Sequence, residues 1–404
     1  MLPVAEALRL IGEALRPVPA QLVNLDQAWS RVLAADVEAR LSHPPVAVSA
    51  MDGYAVRAAD AATVPATLSV AGTAAAGQGF ARALRAGEAV RILTGAPVPE
   101  GADAIVIQED TERSGDHVTV RAAPEPGRFI RPAGLDFKAG DRPLRAGRLL
   151  SARDVALCAA MNVPWLAVRR RPRVAVLATG SELRMPGEPL GGGRIVNSNT
   201  FLVASAVRAL GGEPLGLGIA VDEDAALQAA FAAAAGADLL VTLGGASVGD
   251  RDLVRPVLEQ EGGTVIFHNL AMRPGKPTLF GRLGPLPVLG LPGNPVSVGV
   301  AAVVFLKPIL AALSGLDGSF DQQETAVLGR DLPANDVRQD YLRSTLALDA
   351  SGRLVATPYP QQDSAMLRLL SAADCLVIRP PHAPAALAGA PQPILRFTRA
   401  SPAL

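Results

Sequence analysis

Three short segments of the sequence combine glycine, serine and acidic residues directly after apolar runs that are typical of strands. In the first segment, residues 179–182, Gly180 would let backbone N–H groups approach a ligand, while Ser181 and Glu182 add a hydroxyl and a carboxylate. A capped helix with an acidic first turn would use the same residues. This loop alone leaves a binding site and a structural turn equally open.

The second segment, GGASVGD, is richer in backbone donors. Its glycines Gly244, Gly245 and Gly249, together with Ser247, suit a phosphate group. Asp250 adds a carboxylate, and Mg²⁺ typically binds one or two carboxylates together with substrate phosphates. Because a purely structural turn rarely needs so many glycines, the pattern favours a phosphate site with a divalent cation.

The third segment, LPGNPVS, places a proline on either side of Gly293 and Asn294 and ends at Ser297. Pro292 and Pro295 rigidify a loop that presents a helix N-terminus, with Asn294 as the cap. The N–H groups at such a terminus attract anions. A plain helix start would not need both prolines, so we expect an anion-binding loop.

Three further segments are weaker signals. Arg273 and Lys276 lie in RPGKP, and because the chain has only three lysines this rigid loop favours ligand contact over a surface turn. Asp52 lies in SAMDGYA, which combines an acid, a glycine turn and a tyrosine. Thr94 lies in the turn-rich RILTGAPVP. Neither of the last two segments indicates a function by itself.

Alternating strands and helices position the three loops. Asp222 is the expected N-cap of the helix that follows it. Such alternation predicts a doubly wound, parallel α/β sheet with helices on both faces and ligands at the carboxyl ends of the strands. The predicted elements of this α/β domain, residues 171–316, are strands 174–177, 239–243, 264–267, 277–280 and 288–291 and helices 200–210, 223–235 and 252–260.

The remaining residues predict three further units. Residues 1–42 and 141–170 form an elongated N-terminal helical and linker domain, residues 43–140 a mostly β insertion domain carrying DGYA, and residues 317–404 a C-terminal β domain, a small barrel or sandwich. The expected elements of the first and last units are helices 4–16 and 25–34, a Ser151–Asp154 capping pair, a hairpin of 341–348 with 353–358, and strands 373–378 and 392–397.

Composition excludes several classes of protein. The 404 residues carry a formal net charge of zero, which argues against binding nucleic acid or membrane surfaces by bulk electrostatics. Cys158 and Cys375 lie far apart, without the spacing of a disulfide scaffold or a zinc site. The N-terminus does not resemble a signal peptide, and the longest apolar run, residues 298–306, is far shorter than the roughly 20 residues of a membrane span. We therefore expect a soluble, cytoplasmic protein.

Taken together, the motifs resemble one family. SAMDGYA, RILTGAPVPEGADAIVIQED, ATGSEL, GGASVGD, RPGKP and GLPGNPVSV occur in the order and spacing of the molybdopterin molybdenumtransferases, the MoeA family, which includes the E domain of gephyrin. The resemblance extends to the C-terminal pattern between Tyr341 and Leu370. It implies insertion of molybdenum from molybdate into the dithiolene of adenylylated molybdopterin, with release of AMP, in a Mg²⁺-dependent reaction.

The family also implies an elongated homodimer of four-domain chains. Its active site lies between the α/β domain of one subunit and the DGYA domain of the other. A molybdopterin adenylyltransferase and proteins that mature molybdoenzymes are further expected partners. The mechanism implied has carboxylates that position metal and anion, with Mg²⁺ held by Asp250 and a neighbouring carboxylate, Glu182, and it needs no side-chain nucleophile.

Residue roles are carried over by motif position. The resemblance implies catalytic roles for Asp52, Thr94, Glu182 and Asp250. The substrate-binding positions implied are Asp136, Gly180, Ser181, Asp222, Gly244, Gly245, Ser247, Gly249, Arg273, Lys276, Pro292, Gly293, Asn294, Pro295, Ser297, Arg343 and Ser364. The sequence departs from the family at three positions, with Arg273 where many relatives have lysine, Asn197 where aspartate is common, and Ala246 in place of valine.

Other readings stay open. The α/β domain is shared with molybdopterin adenylyltransferases, which lack the DGYA and C-terminal domains in this arrangement. A non-catalytic scaffold of the gephyrin type is the alternative of another class, although it would tolerate loss of Asp52, Glu182 and Asp250, all of which are present. Insertion of tungsten instead of molybdenum is a further alternative within the family.

Overall fold

The computed structural model describes residues 1–245, 253–316 and 323–397. Helix α1 (Val4–Ala14) begins the chain and buries Val4, Ala7 and Ile11, whose spacing of three and four places them on one helix face. This face packs into the same apolar core as the α/β unit described below. Strand β1 (Ala20–Asn24) follows.

The helix predicted at 25–34 is wrong. Only a single 3₁₀ turn, Leu25–Gln27, forms there, and Ser30 has a positive φ of 58° that no helix accommodates. Val32 and Leu33 instead make isolated β-bridges to Leu149 and Val168. Pairing with a distant part of the chain therefore overrides the local helical pattern.

The mostly β character predicted for the second unit is confirmed. Its six-stranded sheet has the order β6–β3–β5–β4–β8–β7, and the interior strand β3 is buried throughout. Pairing of Gly53 with Ile92 joins β3 to β5, which brings Asp52 beside Thr94. The strands are β2 (Val48–Ser49), β3 (Gly53–Val56), β4 (Ala66–Ala74), β5 (Glu88–Ile92), β6 (Ala104–Ile107), β7 (Thr111–Ser114), β8 (His117–Val120) and β9 (Ile130–Arg131).

The Ser151–Asp154 capping pair predicted after this unit is confirmed, with a helix that is limited to residues 152–160. Helix α2 (Ala152–Ala160) begins with a capping box in which Ser151 and Asp154 accept each other's backbone N–H groups. Strand β10 (Trp165–Arg169) follows and pairs antiparallel with β1. The sequence did not predict this pair, whose two strands are separated by more than a hundred residues.

The α/β unit has helices on both faces of a six-stranded sheet, as predicted. Alternate residues of its strand β11 enter two separate cores, with Val174 and Val176 on one face and Ala175 and Leu177 on the other. The strands are β11 (Arg173–Thr179), β12 (Leu183–Arg184), β13 (Ile195–Val196), β14 (Glu213–Ala220), β15 (Leu239–Leu243), β16 (Thr264–His268), β17 (Met272–Arg273), β18 (Leu279–Leu283) and β19 (Leu286–Leu291). The helices are α3 (Asn199–Ala209), α4 (Asp224–Ala233), α5 (Val254–Gln260), α6 (Pro295–Ala301) and α7 (Lys307–Leu313).

The prediction of a wholly parallel sheet is wrong at one edge, where two of the five strand pairings are antiparallel. The order is β14–β11–β15–β19–β18–β16, and the three pairings among the first four strands are parallel. A tight turn at Gly284 and Pro285 folds β19 back along β18, so that β18 and then β16 join antiparallel. The parallel strands β11, β15 and β19 remain neighbours, and their carboxyl ends lie along one edge.

The long helix after the third loop is a core helix. Helices α6 and α7 are joined by a π-helical segment, Ala302–Leu306, into one helix over Pro295–Leu313. Its length and apolar composition would suit a membrane span, but 72% of the most apolar window is buried inside the protein. Packing against the sheet and α1 therefore accounts for its hydrophobicity.

The C-terminal unit is a barrel, one of the two predicted forms. Strand β21 pairs with both β22 and β23, which closes five strands into a ring in the order β21–β22–β20–β24–β23. Strand β17 of the basic loop attaches to β21 by parallel pairing. The elements are β20 (Glu324–Leu328), β21 (Gln339–Leu348), β22 (Leu354–Pro358), α8 (Leu367–Ala372), β23 (Cys375–Arg379) and β24 (Pro391–Arg396).

Candidate functional site

The three loops named from the sequence converge at the carboxyl ends of β11, β15 and β19. A Cβ placed on Gly244 would lie 2.8 Å from the carbonyl oxygen of Thr179, and one on Gly293 would lie 3.9 Å from the Cα of Gly244. Gly244 has a φ of +95°, which side chains rarely adopt. Glycine is therefore required where the loops after β11 and β15 touch.

The first loop is clamped by Asp222. The carboxylate of Asp222 accepts a hydrogen bond from the Ser181 N–H at 3.1 Å, and the Asp222 N–H donates to the Ser181 hydroxyl at 3.3 Å. The predicted role of Asp222 as a helix cap is wrong, because helix α4 starts at Asp224 without a side-chain cap. The structure thus joins Asp222 to the candidate site in a different role.

Glu182 folds over the glycine of the same loop. Its two carboxylate oxygens lie 2.7 and 2.8 Å from the position of a Cβ on Gly180, so a larger residue there would displace the carboxylate. The side chain is exposed, and it has no hydrogen-bond partner or ion pair in the described part of the chain. This carboxylate is available to a ligand or a cation.

Several backbone donors of the three loops point to no protein acceptor. Within residues 1–245, 253–316 and 323–397, the N–H groups of Glu182, Gly245, Gly293 and Asn294 make no hydrogen bond, whereas Ser181 and Gly244 donate to Asp222 and Leu291. Unpaired N–H groups at strand ends and a helix start suit the oxygens of an anion. Of the loop glycines, Gly245 and Gly293 therefore keep the free N–H groups that the sequence predicted, whereas Gly180 and Gly244 donate to protein carbonyls.

The proline loop is held by two other parts of the chain. Asn294 Nδ2 donates to the Ser364 hydroxyl at 3.1 Å, and the Val296 N–H donates to the Ser364 carbonyl at 3.2 Å. Asn199 Nδ2 donates to the Gly293 carbonyl at 2.7 Å. Asn294 is the N-cap by backbone geometry, but its side chain contacts the C-terminal unit instead of capping the helix. Pro295 occupies the first turn as predicted.

Arg343 supports the segment that carries Ser364. The side chain is 1% exposed and donates to the carbonyls of Asp363 and Met366 at 3.0 and 3.1 Å and to Gln362 Oε1 at 3.3 Å. Burial lowers the pKa of the guanidinium. Arg343 therefore holds residues 362–366, which carry Ser364, and does not face the strand-end loops.

The two cations of the basic loop differ. Arg273 Nε donates to Asp340 at 2.8 Å and Nη1 to Asp336 at 3.1 Å, and the hydrogen bonds from Asp340 raise the pKa of Arg273. Lys276 is exposed, and no acceptor for its ammonium occurs among the described residues. Arg273 therefore fastens the loop to the barrel, and Lys276 is the cation free for an anion.

The second unit holds its own acidic centre. Asp52 Oδ1 accepts hydrogen bonds from the Thr94 N–H at 2.7 Å and the Thr94 hydroxyl at 2.8 Å. These two bonds, the backbone one first, hold the pKa of Asp52 below its usual value and keep it ionised. Asp136 is exposed and contributes only its N–H, to the carbonyl of His43.

The described residues of a single chain do not join the two sets of site residues. Where the chain is described, no hydrogen bond or ion pair connects Asp52, Thr94 or Asp136 to the loops of the α/β unit. The predicted positions Ser247, Gly249 and Asp250 lie outside the described residues. The described residues contain no group of three or more His, Cys, Asp or Glu side chains that could hold a metal ion.

Two asparagines lie at or just before the first turn of α3. Asn197 is a departure from the family pattern, and Asn199 is a site residue that the sequence analysis did not name. Asn197 is 2% exposed, and its Nδ2 lies 2.9 Å from the Thr200 hydroxyl while its Oδ1 accepts the Thr200 N–H at 3.3 Å. An amide therefore serves at this position as a local clamp for the start of α3. Asn199 was missed as a site residue, although its place in the same NSN segment was the available signal.

Comparison with known proteins covers nearly the whole chain. Residues 2–162 match the MoeA N-terminal region (domain I and II), residues 175–312 a probable molybdopterin binding domain, and residues 325–396 the MoeA C-terminal region (domain IV). Molybdopterin molybdenumtransferase 2 of Mycobacterium tuberculosis (strain ATCC 25618 / H37Rv) is 38% identical over 387 residues, which cover 93% of this chain and 95% of that protein.

Two further proteins extend the match. Molybdopterin molybdenumtransferase of Haemophilus influenzae is 35% identical over 365 residues, 90% of either chain. The crystal structure of the molybdopterin biosynthesis moea protein from Pyrococcus horikosii superposes with a TM-score of 0.86 at 30% identity, covering 98% of this chain and 99% of that one. Identity of this extent, over all of the units, shows that the chain belongs to the molybdopterin molybdenumtransferase family.

Proposed function

We propose that this protein is an enzyme of molybdenum cofactor biosynthesis that inserts molybdenum into molybdopterin. Its substrates are molybdate and adenylylated molybdopterin, and AMP is released. The observation that carries the proposal is the identity of 38% over 93% of the chain with a protein named for this reaction. The convergence of three donor loops at one sheet edge supports the same function, because the substrate contains a pyrophosphate.

The residues of the three loops have distinct tasks in this proposal. The unpaired N–H groups of Gly245, Gly293 and Asn294 bind pyrophosphate oxygens. Lys276 adds a positive charge, and Ser364 keeps the proline loop in place through Asn294. No residue attacks the substrate covalently, so the site acts by positioning and electrostatic stabilisation.

The described residues fit a magnesium ion that is shared with the substrate. Glu182 offers an exposed carboxylate with no partner among them, and one or two carboxylates suffice for Mg²⁺ when phosphates supply the other ligands. We propose that Glu182 and Asp250 hold the ion. When bound, Mg²⁺ neutralises charge on the pyrophosphate, which makes AMP a better leaving group.

Glu182→Gln tests this role. The substitution keeps the size of the side chain and removes its charge, and we expect the rate of molybdenum insertion to fall by about a hundredfold. Glu188→Gln is the matched control, because Glu188 is an exposed acid of the same region that accepts the Met185 N–H at 2.7 Å. Equal rates for the two variants would contradict the proposal.

We propose that Asp52 and Thr94 of the second unit complete the strand-end site of a partner subunit and not that of their own chain. The protein is a homodimer, and Asp52 with Thr94 of one subunit faces the strand-end loops of the other. Mixing Asp52→Asn with Glu182→Gln subunits tests this. In a random mixture half of the dimers contain one intact site, so about one quarter of the wild-type activity should return. A site formed within one chain would give no recovery.

The overall reaction is tested with purified protein, adenylylated molybdopterin, molybdate and Mg²⁺. The expected result is release of AMP together with molybdenum retained on molybdopterin. A non-catalytic scaffold would bind the substrate without releasing AMP. An adenylyltransferase would instead consume ATP with unmodified molybdopterin. We place the reaction in the cytoplasm, with a molybdopterin adenylyltransferase as supplier of the substrate and molybdoenzyme-maturation proteins as recipients.

A further inference from the structure

A cavity of about 340 Å³ lies between the α/β unit and the barrel. Helix α3, the long helix of residues 295–313, helix α8 and strand β24 form its walls. Its volume falls within the roughly 300–1,000 Å³ range of small-molecule pockets. None of the strand-end loop residues lines it, so it is separate from the candidate active site.

The walls of this cavity are apolar. Leu202 and Ala206 of α3 face Val303 of the long helix, and Leu370 of α8 and Phe397 after β24 complete the lining. Such a surface accepts a hydrocarbon or aromatic group and offers few polar partners for a sugar or a nucleotide base. Among the described lining residues, Ser371 carries the lone hydroxyl and none carries a carboxylate.

Two cations border this apolar space. Lys307, one of three lysines in the chain, is half-buried and has no hydrogen-bond or ion-pair partner among the described residues. Arg396 donates from Nε to Glu324 at 2.8 Å, while its two Nη groups have no acceptor in the described ranges. An ammonium and a guanidinium edge beside an apolar wall complement an anion with a hydrophobic body.

The backbone next to Lys307 is unusual as well. The π-helical segment Ala302–Leu306 ends immediately before this lysine, and its residues Ala302 and Val303 line the cavity. Single π-helical turns inside α-helices occur frequently at functional sites. The widened turn thus lies at the wall that carries the unpaired cation.

We propose that this cavity binds a small amphipathic carboxylate. Its apolar chain lies between Ala206 and Leu370, and its carboxylate contacts Lys307 and an Nη group of Arg396. The site involves no residue of the proposed reaction, and its occupancy is measured without molybdopterin or molybdate. Carboxylate binding in the cavity can therefore be tested independently of the proposed molybdenum insertion.

Calorimetric titration of the full-length protein with sodium decanoate tests the site. We expect saturable one-to-one binding, and about tenfold weaker binding of octanoate, which buries two fewer methylene groups. Decanol, which lacks the charge, should also bind about tenfold more weakly than decanoate. Absence of saturable decanoate binding, or equal binding of decanoate and decanol, would overturn the proposal.

Two variants locate the binding. Lys307→Met keeps most of the apolar stem, removes the charge and should weaken decanoate binding about tenfold, whereas Lys138→Met, at an exposed lysine of the second unit, should leave it unchanged. Ala206→Phe fills the cavity and should abolish binding. Far-ultraviolet circular dichroism confirms the fold of each variant. Wild-type affinity in either Lys307→Met or Ala206→Phe refutes the assignment.

Discussion

Replacing Gly244 by alanine should damage the α/β unit and its candidate site together. The new Cβ would lie 2.8 Å from the Thr179 carbonyl oxygen, a backbone atom that cannot rotate away, and the φ of +95° would be strained for any side chain. Strain of this kind is about 1–3 kcal/mol and overpacking adds about 1–3 kcal/mol. We expect the free energy of unfolding to fall by about 3–5 kcal/mol in Gly244→Ala.

Gly284→Ala is the matched control. Gly284 also has a positive φ, +57°, but nothing lies within 4 Å of its Cβ position, and it belongs to the turn at the opposite end of β19. Only left-handed strain of about 1–2 kcal/mol applies there. The difference between the two variants therefore reports the contact with Thr179 together with the additional strain at a φ of +95°.

Urea unfolding followed by circular dichroism measures the loss of stability in each variant, and hydrogen exchange of the β15 amides shows whether the loss is local to that strand. Gly244→Ala should also lose molybdenum insertion under conditions where it is folded, because relief of the contact displaces the Gly245 N–H. Gly284→Ala should retain the rate. Equal destabilisation of the two variants, or a wild-type rate in Gly244→Ala, would refute the reasoning.

Three further substitutions test separate contacts. Thr94→Val removes the hydroxyl that donates to Asp52 and should lower the insertion rate about tenfold with an unchanged melting temperature, whereas Thr94→Ser should keep the rate. Gly12→Ala places a methyl group in open space on helix α1 and should raise the free energy of unfolding by about 0.5–1 kcal/mol in urea titrations. Asp154→Ala removes the capping box with Ser151 and should lose about 1–2 kcal/mol at pH 7. Burial alone would raise the pKa of Asp154, but hydrogen bonds from Arg148 and then from Ser151 lower it overall, so this stability gap should close as the pH falls through the lowered pKa.

The sequence predicted best where one local rule decides the structure. Strands β11 and β15 are buried over almost their whole length and therefore appear as near-continuous apolar runs, and glycine-rich loops directly after them predicted the edge at which the site lies. The pair β1–β10 and the bridges of Val32 and Leu33 depend on partners far along the chain. The local periodicity of apolar residues carries no information about such distant pairing.

Edge strands and antiparallel additions were harder to predict. Strand β14 contains Pro214, Gly216 and Gly218, residues that normally argue against a strand, and it is tolerated because it lies at the edge of the sheet. The reversal at β18 follows from a tight turn whose consequence, antiparallel pairing, became evident only once its neighbours in the sheet were known.

Side-chain roles were less predictable than positions. Asp222 and Arg343 were both named as substrate-binding residues, yet one binds the Ser181 backbone and the other carbonyls of residues 363 and 366. A carboxylate accepts any N–H, and a guanidinium donates to any carbonyl, so residue type does not select the partner. The direction of the side chain, which is set by packing, decides it.

These hydrogen bonds bear on how two chains would form one site. Thr94 holds Asp52 in the second unit, and Asp222 holds Ser181 in the α/β unit, and in the described part of the chain no hydrogen bond joins the two pairs. Asp52 and Ser181 are therefore held in place before the subunits meet. Association then has little side-chain entropy to remove at these two positions, which favours binding of the substrate there. A loop that had to fold around its ligand would lose this advantage.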